Sequence, residues 1–163
     1  MSTLPTTPRL LLGPGPSPVL PRVLEAMTAP QRSHLDPDMV ALLDDVRRRL
    51  HGLFNVGDEG IALAVSGTGS SGLETAIANV VAPGDRVLSI VTGYFGERLA
   101  QVAERYGADV TRLTGEWGRA IDPEQVRTAL EHGSCQVVTV VHAETSTGVL
   151  QPVRDVAALA RAH

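Results

Sequence analysis

Seven consecutive small residues, Ser66-Gly67-Thr68-Gly69-Ser70-Ser71-Gly72, separate an apolar run from an amphipathic stretch. Such a turn suits anion binding, because free backbone N–H groups at a helix N-terminus and the helix dipole both favour negative charge. The hydroxyls of Thr68, Ser70 and Ser71 add donors, and the glycines allow close approach. Three more specific readings compete. The spacing Gly67-x-Gly69-x-x-Gly72 matches the dinucleotide fingerprint, which also requires an acid at the end of the next strand. That segment, SIVTGYFG, has none; the nearest carboxylates are Asp85 before it and Glu97 inside the following helix. A phosphate-binding P-loop needs a lysine, and all 14 basic residues here are arginine. A nucleophile elbow, G-x-S-x-G, does not occur. Two readings stay open: a phosphate cradle, or a tight strand-to-helix turn in which Ser70 or Ser71 only caps the helix.

Two further polar clusters fall at expected strand ends. Thr92-Gly93-Tyr94-Phe95-Gly96 follows RVLSIV (86–91), and aromatics make up only 3% of the chain. A flat ring there can stack on a planar ligand; the alternative is that Phe95 begins a helix and packs into the core. His142-Ala143-Glu144-Thr145-Ser146-Thr147-Gly148 closes the most β-branched run, QVVTVVHA (136–143). An ordinary loop is the alternative there, and His142 reads more simply as a buried core histidine. A hydrolase built from Ser146 and His142 has no elbow or oxyanion motif behind it. Ligands of parallel sheets gather at the carboxyl ends of strands. Hydroxyls and glycines for a phosphate, an aromatic for a ring and hydroxyls for ring substituents together fit pyridoxal phosphate economically.

The elements that must position these clusters follow from periodicity. RLLLGPGPSP (9–18) can neither continue a helix nor join the centre of a sheet. Ser17-Pro18 reads as a helix start, with Leu20, Val23, Leu24 and Met27 at helical spacing. Asp36-Pro37 reads as a second start, with Met39, Leu42, Leu43, Val46 and Leu50 along one face. IALAV (61–65) predicts a buried strand and GLETAIANVV (72–81) a helix. Strands follow at 86–91, 108–113 and 136–143, with helices at 95–107, 123–132 and 152–163. Gly107 stops one helix, and Asp122-Pro123-Glu124-Gln125 resembles a capping box for the next. Strands alternating with longer helices predict a parallel sheet with crossover helices.

Bulk properties exclude little but consistently. The 163 residues suffice for one core; 43% are apolar and 20% charged. A net charge of −4 argues against nucleic-acid and membrane-surface partners. Arg47-Arg48-Arg49 is the only basic run and reads as a solvated helix face. Cys135 is the lone cysteine, and no Cys/His group has metal-ligand spacing. Without a signal-peptide pattern or a bilayer-spanning run, a cytoplasmic location is expected.

At these residues the chain resembles class V aminotransferases of the alanine–glyoxylate/serine–pyruvate type. The matching pieces are LLGPGPSP (11–18), HLDPDM (34–39), VSGTGSSGLETAIANVVAPGDRVL (65–88), GYFGERLAQVAERYGADV (93–110) and VVHAETSTGVLQP (140–152). They run in family order over nearly the whole chain. The resemblance implies an α/β fold, the parallel-sheet large domain of PLP fold type I (aspartate aminotransferase-like), incomplete here. An N-terminal arm with helices would occupy 1–59, and the first part of the PLP-binding domain 60–163. The cofactor implied is pyridoxal 5'-phosphate, with Thr68, Gly69 and Ser70 on its phosphate. Phe95 would lie on its ring, where family members often have tryptophan, and Thr145 near the ring. Ser70 stands where the family often has histidine. Gly15 would border the substrate pocket and His34 approach a neighbouring subunit.

The same resemblance implies a homodimer that moves an amino group from alanine or serine to a 2-oxo acid such as glyoxylate or pyruvate. A lyase or desulfurase of the same class, or a non-catalytic binding module, are the alternatives. The family's Schiff-base lysine, the acid on the pyridinium nitrogen and the substrate-carboxylate arginine all lie beyond a position equivalent to residue 163. No catalytic residue is therefore assigned within this lysine-free chain, which is expected to be inactive alone. In the family the first strand has later strands as neighbours. Here 61–65 would lack them, so poor stability or non-native pairing is expected.

Overall fold

A computed structural model describes residues 9–163. Contacts divide the chain into two compact units, residues 1–64 and 65–163.

The first unit holds two helices. α1 spans Pro21–Met27 and α2 spans Pro37–Leu53. The start expected at Ser17-Pro18 moves to Leu20-Pro21. A helix begun at Pro18 would place Pro21 in its interior, where its ring lacks an N–H and forces the preceding residue out of the helical region. Leu20 is accordingly extended, with φ −60° and ψ 138°. At the second start the sequence reading holds: Asp36 accepts from the Asp38 N–H at 2.9 Å and Pro37 opens α2. Neither helix contains a buried residue.

The second unit contains a three-stranded parallel sheet of order β2-β1-β3. α3 (Gly69–Val80) precedes β1 (Arg86–Val91). α4 (Tyr94–Arg105) leads to β2 (Asp109–Thr114), and α5 (Pro123–His132) to β3 (Val137–Thr139). A hairpin of β4 (Ala143–Glu144) and β5 (Val149–Leu150) then precedes α6 (Val153–Ala162). This is the α/β arrangement that the alternating pattern predicts. β1, in the middle, separates two apolar layers because successive side chains point to opposite faces. Val87 joins Ile77, Val81, Val102 and Ala103 on one side. Leu88 and Ile90 join Ile121, Val126, Leu130 and Val156 on the other. The buried hydroxyls of Ser89 and Thr139, adjacent in register, satisfy each other at 2.8 Å.

Turn chemistry closes the units. Gly84 (φ +88°) donates to the Gly107 carbonyl at 2.8 Å, and Gly107 (φ +85°) ends α4 in a left-handed conformation. Asp122 caps α5 by accepting from the Glu124 N–H at 2.9 Å.

Two expected strands differ. Residues 61–65 pair with no strand among the described residues, and Ile61, Leu63 and Val65 are all exposed. An apolar run is a strand only where a ladder partner satisfies its backbone. The strand expected over 136–143 is confined to Val137–Thr139, which pair with Val87–Ser89; the chain leaves the ladder there, although β1 runs on to Val91, and turns into the β4–β5 hairpin. His142 is therefore exposed, not buried in a strand.

Candidate functional site

Three segments follow or precede the sheet at the ends where the sequence places its polar clusters. Thr68 caps α3: its hydroxyl oxygen accepts from the Ser71 N–H at 3.4 Å, and its carbonyl accepts from Gly72 at 3.1 Å. Gly67 takes φ +157°, and a Cβ there would meet Ser71 Oγ at 2.8 Å, so the turn requires glycine. Gly69 and Ser70 are the first two helical residues, both exposed. Their N–H groups lie among the unpaired donors of a first helical turn, and no partner is recorded for them among the described residues. The Gly69 Cα faces open space.

α4 solves the same problem oppositely. Its N-cap, Gly93, has no side chain, and the cap arrives from the β4–β5 hairpin. Glu144 is fully buried. Its Oε2 accepts from Gly96 N–H at 3.0 Å, and its Oε1 from Phe95 N–H at 3.4 Å and Ser146 Oγ at 2.5 Å. Ser146 Oγ accepts in turn from Tyr94 N–H at 2.9 Å. The first turn of α4 and the hairpin turn are thus fastened together. Phe95 stays 36% exposed, which removes the core-packing alternative, and Tyr94 meets it edge-on at 5.3 Å between ring centroids. Thr145 is exposed on the same hairpin turn.

A buried amide supports the hairpin's base. Gln151 accepts from Ile121 N–H and donates to Thr92 Oγ1, both at 2.9 Å. Ser70 and Arg98 line one small cleft between α3 and α4. Nearby, burial and the Glu74 carboxylate push the Tyr106 phenol above its ordinary range. The larger concavity along α5, beside Leu113, Thr128 and His132, includes none of these residues.

The aminotransferase class-V family model matches residues 9–163. The chain belongs to that family. Among aminotransferases of known sequence, it is 35% identical over 156 residues to the alanine–glyoxylate aminotransferase of Drosophila melanogaster, covering 95% of this chain and 39% of that protein. The (S)-ureidoglycine–glyoxylate transaminase of Bacillus subtilis is 36% identical, with 91% and 35% covered. The crystal structure of alanine–glyoxylate aminotransferase from Nostoc sp. superposes with a TM-score of 0.90 at 46% identity, over 99% of this chain and 43% of that one. The fold is therefore that of PLP fold type I aminotransferases, and the chain spans about two-fifths of these relatives' length.

Within this class-V aminotransferase chain, the Phe95 N–H donates to Glu144, the residue that precedes the exposed Thr145 in the hairpin turn. Thr68, Gly69 and Ser70 occupy the start of α3, whose later turns pack with α4 through Ile77, Val102 and Ala103. Gly15 lies in the first unit, in the bend over 13–16, with open space around its Cα. His34 is exposed in the turn before α2. The Ser146 hydroxyl engages Glu144, and no hydrogen bond to His142 is recorded among the described residues. Sequence reasoning missed Glu144 itself. One signal pointed to it: Gly93 at a helix start without a capping side chain, which demands a cap from elsewhere.

Proposed function

We propose that this chain forms the phosphate- and ring-binding part of a pyridoxal 5'-phosphate transaminase. The observation that carries the reading is the contrast between two helix starts: Glu144 fills that of α4, while Gly69 and Ser70 leave that of α3 open to an anion. Their amides and the Thr68 and Ser70 hydroxyls suit a phosphate, and the exposed Phe95 ring suits one face of a pyridine. Thr145 sits on the turn fastened to Phe95 and serves the ring's edge. The donor set therefore fits the cofactor. When bound, that cofactor supplies an electron sink for the substrate carbon that loses its proton. The chain's own residues hold and orient it; with no lysine present, the proton-shuttling amine belongs to another part of the whole protein. Gly15 is proposed to border the substrate.

For the whole protein we propose amino transfer from alanine or serine to glyoxylate or pyruvate. Both curated relatives above carry glyoxylate in their names, which favours it as acceptor. A homodimer follows from the family resemblance. A cytoplasmic location accords with a single cysteine. Equilibrium dialysis of the chain tests the cofactor reading directly. Pyridoxal 5'-phosphate is expected to bind at least about tenfold more tightly than phosphate-free pyridoxal, since charge-assisted hydrogen bonds contribute roughly 1.5–3 kcal/mol each. Equal binding of the two would overturn the reading. Amino transfer from alanine to glyoxylate by the whole protein, followed by pyruvate release, tests the substrates.

A further inference from the structure

We propose that Glu144 and Ser146 are positioning residues: a latch, anchored on the buried Glu144, that fixes the ring-covering Phe95 relative to Thr145. This deepens the cofactor reading above and rests on it. Three successive amides at the start of α4, those of Tyr94, Phe95 and Gly96, donate to two side chains about 50 residues further along the chain. Glu144 has no access to solvent, and a buried carboxylate persists only where donors compensate it fully. Here both oxygens are engaged, including the 2.5 Å contact from Ser146 Oγ.

Gly93 belongs to the same device. Its backbone is extended (φ 174°), so conformational freedom does not explain the glycine. Space does: a Cβ would lie 2.5 Å from Glu144 Cδ and 2.7 Å from Ser146 Oγ. The helix gives up a cap of its own and accepts one from the hairpin. An ordinary Ser, Thr or Asp N-cap would satisfy α4 equally well but would leave the hairpin untied. The long-range cap therefore joins two segments whose exposed residues, Phe95 and Thr145, would face one ligand.

The absence of lysine makes reversible cofactor binding measurable on the full 163-residue chain without lysine adducts. Glu144→Gln turns an amide NH2 toward the helix N–H groups, and Ser146→Ala keeps the buried charge while removing the Tyr94 contact. Two ligands, pyridoxal 5'-phosphate and inorganic phosphate, are measured by dialysis, together with amide hydrogen exchange. Glu144→Gln is expected to lower cofactor affinity about tenfold, leave inorganic phosphate unchanged and speed exchange at Phe95 and Gly96 about tenfold. Ser146→Ala should show a smaller cofactor loss and faster exchange at Tyr94, which keeps the proposal testable should Glu144→Gln fail to fold. Loss of both ligands in parallel would mark a merely structural role and overturn it. So would cofactor binding as tight as the parent's, or unaltered exchange at the three amides. A parent chain that binds phosphate but shows no added affinity for the cofactor would instead remove the underlying cofactor reading, and the positioning role with it.

Discussion

Thr68 and Ser70 stand two residues apart and do different work. The Thr68 oxygen accepts from the Ser71 N–H, whereas the Ser70 hydroxyl makes no recorded hydrogen bond among the described residues. Capping and ligand binding are therefore separable. Ser70→Ala is expected to leave stability within about 0.5 kcal/mol of the parent, as an exposed substitution. It should still weaken inorganic phosphate by roughly ten- to a hundredfold, the loss of one hydrogen bond to a charged group. Thr68→Ala should weaken phosphate similarly and also cost about 1 kcal/mol of stability through the lost cap. Thermal denaturation beside phosphate dialysis reads both quantities. Phosphate binding by Ser70→Ala at the parent's affinity would show that the α3 start holds no anion through that hydroxyl.

Elements meet through contacts whose sign depends on the neighbour. A Cβ at Gly96 would lie 2.8 Å from the Ile90 carbonyl oxygen and 3.1 Å from Val91 Cα, backbone atoms that cannot rotate away. Gly96→Ala is expected to cost about 1–3 kcal/mol by forcing α4 off β1. At Gly72, inside α3, a Cβ meets nothing within 4 Å. There the same change should stabilise by about 0.5–1 kcal/mol, from helix propensity alone. Denaturant midpoints compare the two, and a shared sign would defeat the argument. Arg112 on β2 ties to Glu97 and Glu104 on α4 at 3.1 and 2.6 Å. Its hydrogen bonds hold both carboxyls below the ordinary glutamate range. Folded-state values that are lowered stabilise above the ordinary range, and that contribution disappears as pH falls through the lowered values. Arg112→Met should therefore flatten the acid limb of the stability profile while acting little at high salt. Local signals made much of this legible: Asp36-Pro37, Asp122-Pro123-Glu124 and Gly107 each mark an element's end within a few residues. What escaped depends on partners distant in sequence. The run 61–65 has strand composition but no ladder, 136–143 leaves its ladder after Thr139 to form a hairpin, and the cap of α4 comes from Glu144, which only the folded chain brings near Gly93.

Over the whole molecule, burial is unevenly shared. Every buried apolar residue among those described, from Ile77 to Val156, belongs to the second unit. α1 and α2 bury none, and Leu42, Leu43, Leu53 and Phe54 are all exposed. Helical hydrogen bonds without a packed face open readily, because isolated helices of this length are marginal in water. Amide exchange on the full chain should therefore fall into two classes. β1 amides, at the centre of the sheet between two apolar layers, are expected to open only with the second unit as a whole. Those of α2 should exchange orders of magnitude faster, with protection near that of a lone peptide helix. A peptide spanning 36–54 supplies the reference: its exchange should match that of α2 in the chain to within about tenfold. Protection of α2 rising to the level of β1 would mean that its apolar stripe is covered in solution, and the uneven division of stability argued here would be wrong.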